Sequence, residues 1–335
     1  MKLPRLRTAR WRRTTRRLGQ AITRWMTVPL APAQQPAPPV GEGLVEVARF
    51  GSNPGRLRML VFHPSRRPAP GAPLILLLHG CRQDGAAFAA QSGWIALAER
   101  LSIPLVIPEQ NAGNHRHRCF RWYEPQHNAR GAGEAMSIRQ MLRHASREFG
   151  SDRRGVFILG LSAGGAMAAA LLAAYPAVFA AGAVVAGLPV GAATTPAMAM
   201  LRMRRADPFA TGHGLAAAVR ARTRARPGRP WPRISIWQGQ QDRVVDPANA
   251  RQLAVQWAAL HGCPEAPTDD EMPSPGQRHR VWRARGAPVA ELWTLEGMAH
   301  GYPIAPGCGR PGPWVLPGGI AATRHIAAFW GLLPG

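Results

Sequence analysis

One stretch, residues 156–174 (VFILGLSAGGAMAAALLAA), constrains this chain more than any other. Residues 156–159 are continuously apolar and read as a buried strand. Gly160-Leu161-Ser162-Ala163-Gly164 then forms a turn, and the alanine-rich run after it reads as a helix. A bare G-x-S-x-G arises often by chance, and a turn rich in small residues needs no chemistry to explain it. Between a strand and a helix, however, it is the setting in which a serine is forced onto a sharp turn with its hydroxyl clear of the sheet. Glycines on either side lack a Cβ and let strand and helix approach closely. The helix that follows directs its first amides, with their partial positive charge, at the same point.

The rest of the chain is long enough to build around that turn: 335 residues, 46% of them hydrophobic, can bury a sizeable core. No run of eighteen apolar residues occurs, so no membrane-spanning helix is expected. The formal net charge of +24 would ordinarily point to nucleic acid. Here Lys2 is the only lysine, and nine basic residues with no acid fall in the first forty positions. That is an arginine bias and a basic end, without a nucleic-acid motif, and no nucleic-acid partner is expected. Residues 1–40 place Trp11, Leu18, Ile22 and Trp25 on one helical face among arginines and end in the proline-rich APAQQPAPPV. This segment reads either as a basic amphipathic tail for an anionic membrane or polymer-granule surface, or as a tail with no specific task. It lacks the apolar core of an export signal.

From residue 41 onward strands and helices alternate. Residues 44–50 and 57–63 read as an antiparallel hairpin across Gly51-Ser52-Asn53-Pro54-Gly55, and 73–78 as a strand covered on both faces. Helix is expected over 85–101, strand over 103–107, a long connection over 108–133 and an amphipathic helix over 134–149. After the serine turn come a strand at 182–188, a helical arginine-rich stretch at 194–230 where a cap would be inserted, and a strand at 234–237. A helix at 247–260, a polar loop at 265–277, a strand at 289–295 and a closing helix at 320–330 complete the chain. The expected fold is α/β: a mostly parallel, doubly wound sheet with an N-terminal antiparallel hairpin. Residues 41–335 form one domain in this reading. Four cysteines, Cys81, Cys119, Cys263 and Cys308, allow three connectivities, of which Cys81–Cys119 with Cys263–Cys308 is preferred.

A serine hydroxyl attacks only when a base takes its proton, and that base needs an orienting carboxylate. On this kind of turn the partners follow in the order serine, acid, histidine. Asp242, in the loop after the 234–237 strand, is the acid candidate; Asp246 stands before Pro247 and fits a helix cap better. His300, between Gly297 and Gly301 after the last long strand, is the base candidate. Among other histidines, His325 lies on the closing helix, and His115, His117 and His127 precede the serine without metal-ligand spacing. Two backbone amides are needed for the oxyanion. Ala163 follows the serine, and His79-Gly80-Cys81 after the 73–78 strand offers the amide of Cys81. Trp122, Tyr123 and Tyr302 are candidate walls of an apolar substrate cleft.

With these residues placed, the chain from about 45 to 330 resembles the poly(3-hydroxybutyrate) depolymerase family of α/β-hydrolase esterases. The resemblance rests on LLLHGCRQ (76–83), CFRWYEP (119–125), GEAMSIRQM (133–141), GLSAGGAM (160–167), YPAVFAAGAVVAGLP (175–189), GMAHGYP (297–303) and TRHIAAFWGL (323–332). It implies an α/β-hydrolase fold, catalysis by Ser162, Asp242 and His300 through an acyl-enzyme, and oxyanion donors at Cys81 and Ala163. No metal or organic cofactor is implied. The implied substrates are polyhydroxyalkanoates or related short-chain hydroxyacyl esters. Feruloyl or acetyl esters of plant polysaccharide, and a non-catalytic surface-binding relative, are the alternatives. The family implies an extracellular or periplasmic setting, with a cytoplasmic, granule- or membrane-associated one as the alternative. Two positions depart from the family pattern: Gln238 stands where histidine is frequent, and Arg121 where asparagine is usual.

Overall fold

The computed structural model describes residues 43–152, 155–223 and 230–334, and the expectations for residues 1–40 lie outside them. The chain opens on an antiparallel pair, β1 (Leu44–Glu46) and β2 (Arg58–Phe62), with Leu44 opposite Phe62. β3 (Leu74–Leu78) leads into two helices, α1 (Gly85–Gln91) and α2 (Trp94–Leu101), where the sequence predicts one. Gly93 separates them: its φ is +82°, and a Cβ there would stand 3.1 Å from the Gly309 nitrogen. β4 (Leu105–Glu109) is followed by the long connection with its short α3 (Pro125–Asn128), then α4 (Gly133–Phe149), β5 (Val156–Leu161) and α5 (Ala163–Ala174). β6 (Ala181–Val185), α6 (Pro196–Arg204), α7 (Gly212–Arg220), β7 (Arg233–Gly239) and α8 (Ala248–Leu260) come next. The chain closes with β8 (Asp269–Ser274), β9 (Gln277–Ala284), β10 (Ala287–Leu295), β11 (Tyr302–Ile304), β12 (Val315–Pro317) and α9 (Ala322–Trp330).

Ten strands make one sheet in the order β1-β2-β4-β3-β5-β6-β7-β10-β9-β8, and β11 pairs with β12 apart from it. From β4 to β10 every neighbour is parallel, and antiparallel pairs close both ends. Side-chain alternation sorts the central strands onto two layers. Leu74, Leu76 and Leu78 of β3 pack with Ile138, Met141 and the alanines of α5. Ile75 and Leu77 pack with Phe88, Trp94 and Ile326 on the other face. All of α5 is buried, which is why it is built of alanine, glycine and leucine.

The chain leaves β3 toward β4 on one side and returns to the other side with β5. Strand order reverses there, so the loops after β3 and β5 open a crevice between them, the place where doubly wound sheets bind ligands. The serine turn follows β5 and the Cys81 loop follows β3.

Two expectations are corrected. The polar loop expected over 265–277 contains the β8 edge strand and the turn into β9. Asp270 pairs with Arg278 at 2.6 Å and Asp269 with Arg283 at 2.8 Å across that ribbon. Every β8 residue but the first is exposed, so no apolar alternation marks it; charges and Pro273 suit an edge that must not recruit another strand. The second correction concerns the cysteines. Cys81 and Cys119 are bonded, but Cys263 and Cys308 are both free thiols. Cys263 packs on the α5 face of the sheet, whereas Cys308 sits by Gly93 on the α1–α2 face, so the sheet lies between them.

The Cys81–Cys119 bridge closes a loop across a sequence separation of 38. By its effect on unfolded-chain entropy it stabilises by up to about 4 kcal/mol. Cys81→Ser/Cys119→Ser is therefore expected to unfold at lower denaturant, and an unchanged urea midpoint would show that the bridge contributes nothing.

Candidate active site

Ser162 sits between β5 and α5 with φ 57° and ψ −119°, a backbone conformation that side chains rarely adopt. Such a residue costs roughly 1–3 kcal/mol and persists only where its surroundings fix it. The surroundings do so closely. A Cβ on Gly160 would lie 2.1 Å from the Gly164 oxygen, and one on Gly164 would lie 2.4 Å from Leu78 O and 2.5 Å from His79 O. The Ser162 amide donates to Val185 O at 2.8 Å, and the next strand end is fastened likewise by Ala186 N to Trp237 O at 2.9 Å. The serine is thus registered to the ends of β6 and β7.

The loop after β7 is sewn to the loop after β10. Gln240 N donates to Leu295 O and Gln241 N to Met298 O, both at 2.9 Å. Gly239 has no room for a side chain, since a Cβ would meet Met298 O at 2.3 Å. These contacts set Asp242 against His300, whose Nδ1 donates to Asp242 Oδ2 at 2.7 Å. The same Oδ2 accepts Gln238 Nε2 at 2.9 Å, and Oδ1 accepts the amides of Val244 and Val245, each at 2.8 Å. Burial would raise the Asp242 carboxyl, but the hydrogen bond and charge of His300 and the two amides outweigh it and hold it below the usual carboxylate range. An ionised carboxylate only accepts, so Nδ1 carries the proton and Nε2 is left with a lone pair. The ring is 6% exposed and meets Trp314 edge-on, with centroids 5.6 Å apart. Asp246, the rejected acid, holds the amide of Ala248 at the start of α8 and that of Ala206 in the segment after α6.

Asp242 and His300 are therefore brought together directly. Ser162 is at the same C-terminal edge of the sheet, but no hydrogen bond joins its Oγ to His300 among the described residues. The amides of Cys81 and Ala163 likewise donate to no protein acceptor among the described residues. Such geometry tightens in many enzymes only when a substrate is present.

The remaining expected site residues fare differently. Trp122 is 7% exposed, packed in the core and edge-on to a half-buried Tyr123 at 5.4 Å. Tyr302 is not a cleft wall. It is fully buried, its hydroxyl held by Trp94 Nε1 at 3.1 Å and Thr323 Oγ1 at 2.7 Å. Arg121 is engaged with a buried carboxylate: its Nε donates to Glu134 Oε1 at 3.0 Å and its amide to Oε2 at 2.8 Å. Trp314 is a site neighbour that sequence reasoning passed over and that carried no signal; Gln238 was noted only as a departure from the family pattern, without its role beside Asp242. Among the described residues no group of three His, Cys, Asp or Glu could hold a metal ion.

Comparison with known proteins places this geometry in context. Residues 59–271 match the family model described as Esterase PHB depolymerase. Poly(3-hydroxyalkanoate) depolymerase C of Paucimonas lemoignei is 38% identical over 299 residues, covering 87% of this chain and 70% of that protein. An acetylxylan esterase of Coprinopsis cinerea is 29% identical over 280 residues, covering 80% of this chain and 72% of the other. Among solved structures, an acetyl xylan esterase from Aspergillus awamori has the same fold, with a TM-score of 0.73 at 21% identity over 87% of this chain and 99% of that one.

Proposed function

The chain belongs to the PHB depolymerase family of esterases, and from that premise we propose that this ester hydrolase works through Ser162, His300 and Asp242 on short-chain hydroxyacyl polyesters or their oligomers. His300 Nε2 takes the proton from Ser162 as Oγ attacks the ester carbonyl. Asp242 holds the imidazole in the tautomer that can accept it and stabilises the imidazolium that results. The amides of Cys81 and Ala163 receive the oxyanion. The intermediate collapses as His300 protonates the leaving alcohol, and a water activated by the same histidine releases the acid.

The observation that carries this reading is the 2.7 Å bond from His300 to a carboxylate whose acceptors are all engaged, at the sheet edge where a strained serine ends β5. The 38% identity to a poly(3-hydroxyalkanoate) depolymerase supports the substrate class. The acetylxylan esterase relative supports polysaccharide acetyl esters as the second reading. The disulfide in the Cys81 loop supports work in an oxidising compartment, outside the cytoplasm. Side-by-side hydrolysis of hydroxybutyrate oligomers, methyl ferulate and acetylated xylan separates the substrates. The expected order puts hydroxybutyrate oligomers first, and a kcat/KM favouring xylan or ferulate moves the assignment to the second reading. Labelling of Ser162 by a fluorophosphonate separates all of these from an inactive binding protein.

A further inference from the structure

We propose that His79 is a positioning residue that holds the Cys81 amide toward the oxyanion; this rests on the serine-esterase reading above. His79 follows directly on β3, is fully buried, and makes two hydrogen bonds along its ring. The backbone N–H of Gln110 donates to Nε2 at 3.1 Å. An amide nitrogen cannot accept, so Nε2 presents its lone pair and the ring proton of the neutral imidazole must sit on Nδ1. Nδ1 then donates to the Gly80 carbonyl oxygen at 2.7 Å. Burial favours the neutral ring, which keeps this arrangement intact.

That bond decides where the next amide points. The Gly80–Cys81 peptide is planar and trans, so its C=O and N–H lie on opposite sides. Fixing the Gly80 oxygen on His79 fixes the Cys81 N–H in the other direction. The peptide lies along the serine turn: a Cβ on Gly80 would be 3.5 Å from Leu161 O. Gly80 O also accepts the Gln83 amide, at a longer 3.3 Å; with that bond alone, a glycine on one side of the plane lets the peptide rotate at lower steric cost than another residue would. The rotated form would aim a carbonyl oxygen where the oxyanion must form.

Neighbouring contacts support the same plane from its ends. Gly80 N donates to Gln83 Oε1 at 2.7 Å, and Gln83 Nε2 donates to Pro313 O at 2.6 Å, beyond His300 in the chain. Cys81 is bonded to Cys119. Gln110, which holds His79, also donates from Nε2 to Cys119 O at 3.3 Å and to the buried Glu134 at 2.7 Å. One residue therefore steadies both the ring that grips Gly80 and the cysteine tied to Cys81.

Two substitutions divide the ring's two roles. In His79→Asn the amide nitrogen stands in for Nδ1 and keeps a donor for Gly80 O. In His79→Gln the amide oxygen stands in for Nε2 and keeps the acceptor for Gln110, but the donor to Gly80 is lost. With p-nitrophenyl butyrate, His79→Gln is expected to lower kcat about 10- to 100-fold, part of what an oxyanion donor is worth. Its KM should stay within about 2-fold, because the ground-state ester makes little demand on that amide. His79→Asn is expected to retain most of the activity. Affinity for a butylboronic acid, which forms the tetrahedral adduct, should fall in parallel with kcat. Equal losses in the two variants, no loss in His79→Gln, or a change confined to KM would each overturn the proposal. Should both variants fail to fold, a structure of the wild-type boronate adduct decides: a boronate oxygen on Cys81 N with the His79–Gly80 bond intact supports it, and a rotated peptide rejects it. A wild-type protein whose Ser162 is not labelled by a fluorophosphonate defeats the esterase site itself, a result distinct from any ratio between the His79 variants.

Discussion

Ser162→Ala is expected to lower kcat toward p-nitrophenyl butyrate by about 10⁴- to 10⁶-fold, the range in which a serine nucleophile acting with its base and carboxylate is lost as a unit. Thermal stability should hardly change. The hydroxyl makes no hydrogen bond to another described residue, and alanine carries the same Cβ through the same φ of 57°. Ser162→Gly sharpens the test, because it removes the hydroxyl and also the side chain that the left-handed backbone resists. That variant should be equally inactive, yet as stable as the parent or more stable by up to about 1 kcal/mol, relief of backbone strain being partly offset by the freer unfolded chain. Full turnover in either variant would remove Ser162 from the mechanism. Lost activity with a collapsed melting transition would mean only that the turn had been broken.

That turn was legible because its tightest constraint is local. Gly160 is required by a contact within the pentapeptide itself, whereas Gly164 answers to Leu78 and His79 at the end of the neighbouring strand and was legible only as part of the motif; buried strands announce themselves as apolar runs. The loops after β7 and β10 were found by order along the chain, which encodes strand succession. What stayed hidden depends on partners far apart in sequence. Tyr302 stands two residues from His300, but its fate is set by Trp94, 208 positions away, and by Thr323. The β8 strand is held by Asp–Arg pairs across a solvent-exposed ribbon, and exposed charges carry no periodicity that separates strand from loop. Cys263 and Cys308 lie on opposite faces of a sheet whose strand order the sequence does not spell out. Arg121 and Gln238 were visible as departures from a family pattern. Their meaning needed coordinates: one braces Glu134 beneath the loop, and the other donates to the acid.

The bond network around that acid makes Asp242→Asn the second large effect. With the carboxylate, Oδ1 accepts two amides and Oδ2 accepts both His300 Nδ1 and Gln238 Nε2. An asparagine must give its single oxygen to the amides of Val244 and Val245, which have nowhere else to turn. Its NH2 group then faces His300 as a donor. The imidazole can meet it only by moving its proton from Nδ1 to Nε2, and a protonated Nε2 cannot take the proton of Ser162. The expected fall in kcat is about 10⁴-fold near neutral pH, the scale on which a wrong tautomer silences such a serine. The fold should tolerate the change. Gln238 faces the new NH2 with its own; rotating the amide end for end presents its buried, unpartnered Oε1 as an acceptor there, at the cost of the Nε2 bond to Gly239 O at 3.1 Å. Stability near neutral pH is therefore expected to drop only modestly, by about 1–2 kcal/mol. The pH dependence carries the sign of the mechanism. Because the folded protein holds the Asp242 carboxyl below its ordinary 3.8, its contribution to stability is complete above that value and disappears as pH falls through the lower, folded one. Asp242→Asn lacks this term, so the gap between the two urea midpoints should close under strong acid. A gap that persists there would locate the stabilisation outside the carboxylate, and an active Asp242→Asn enzyme would remove the aspartate from the tautomer control on which the proposed reaction depends.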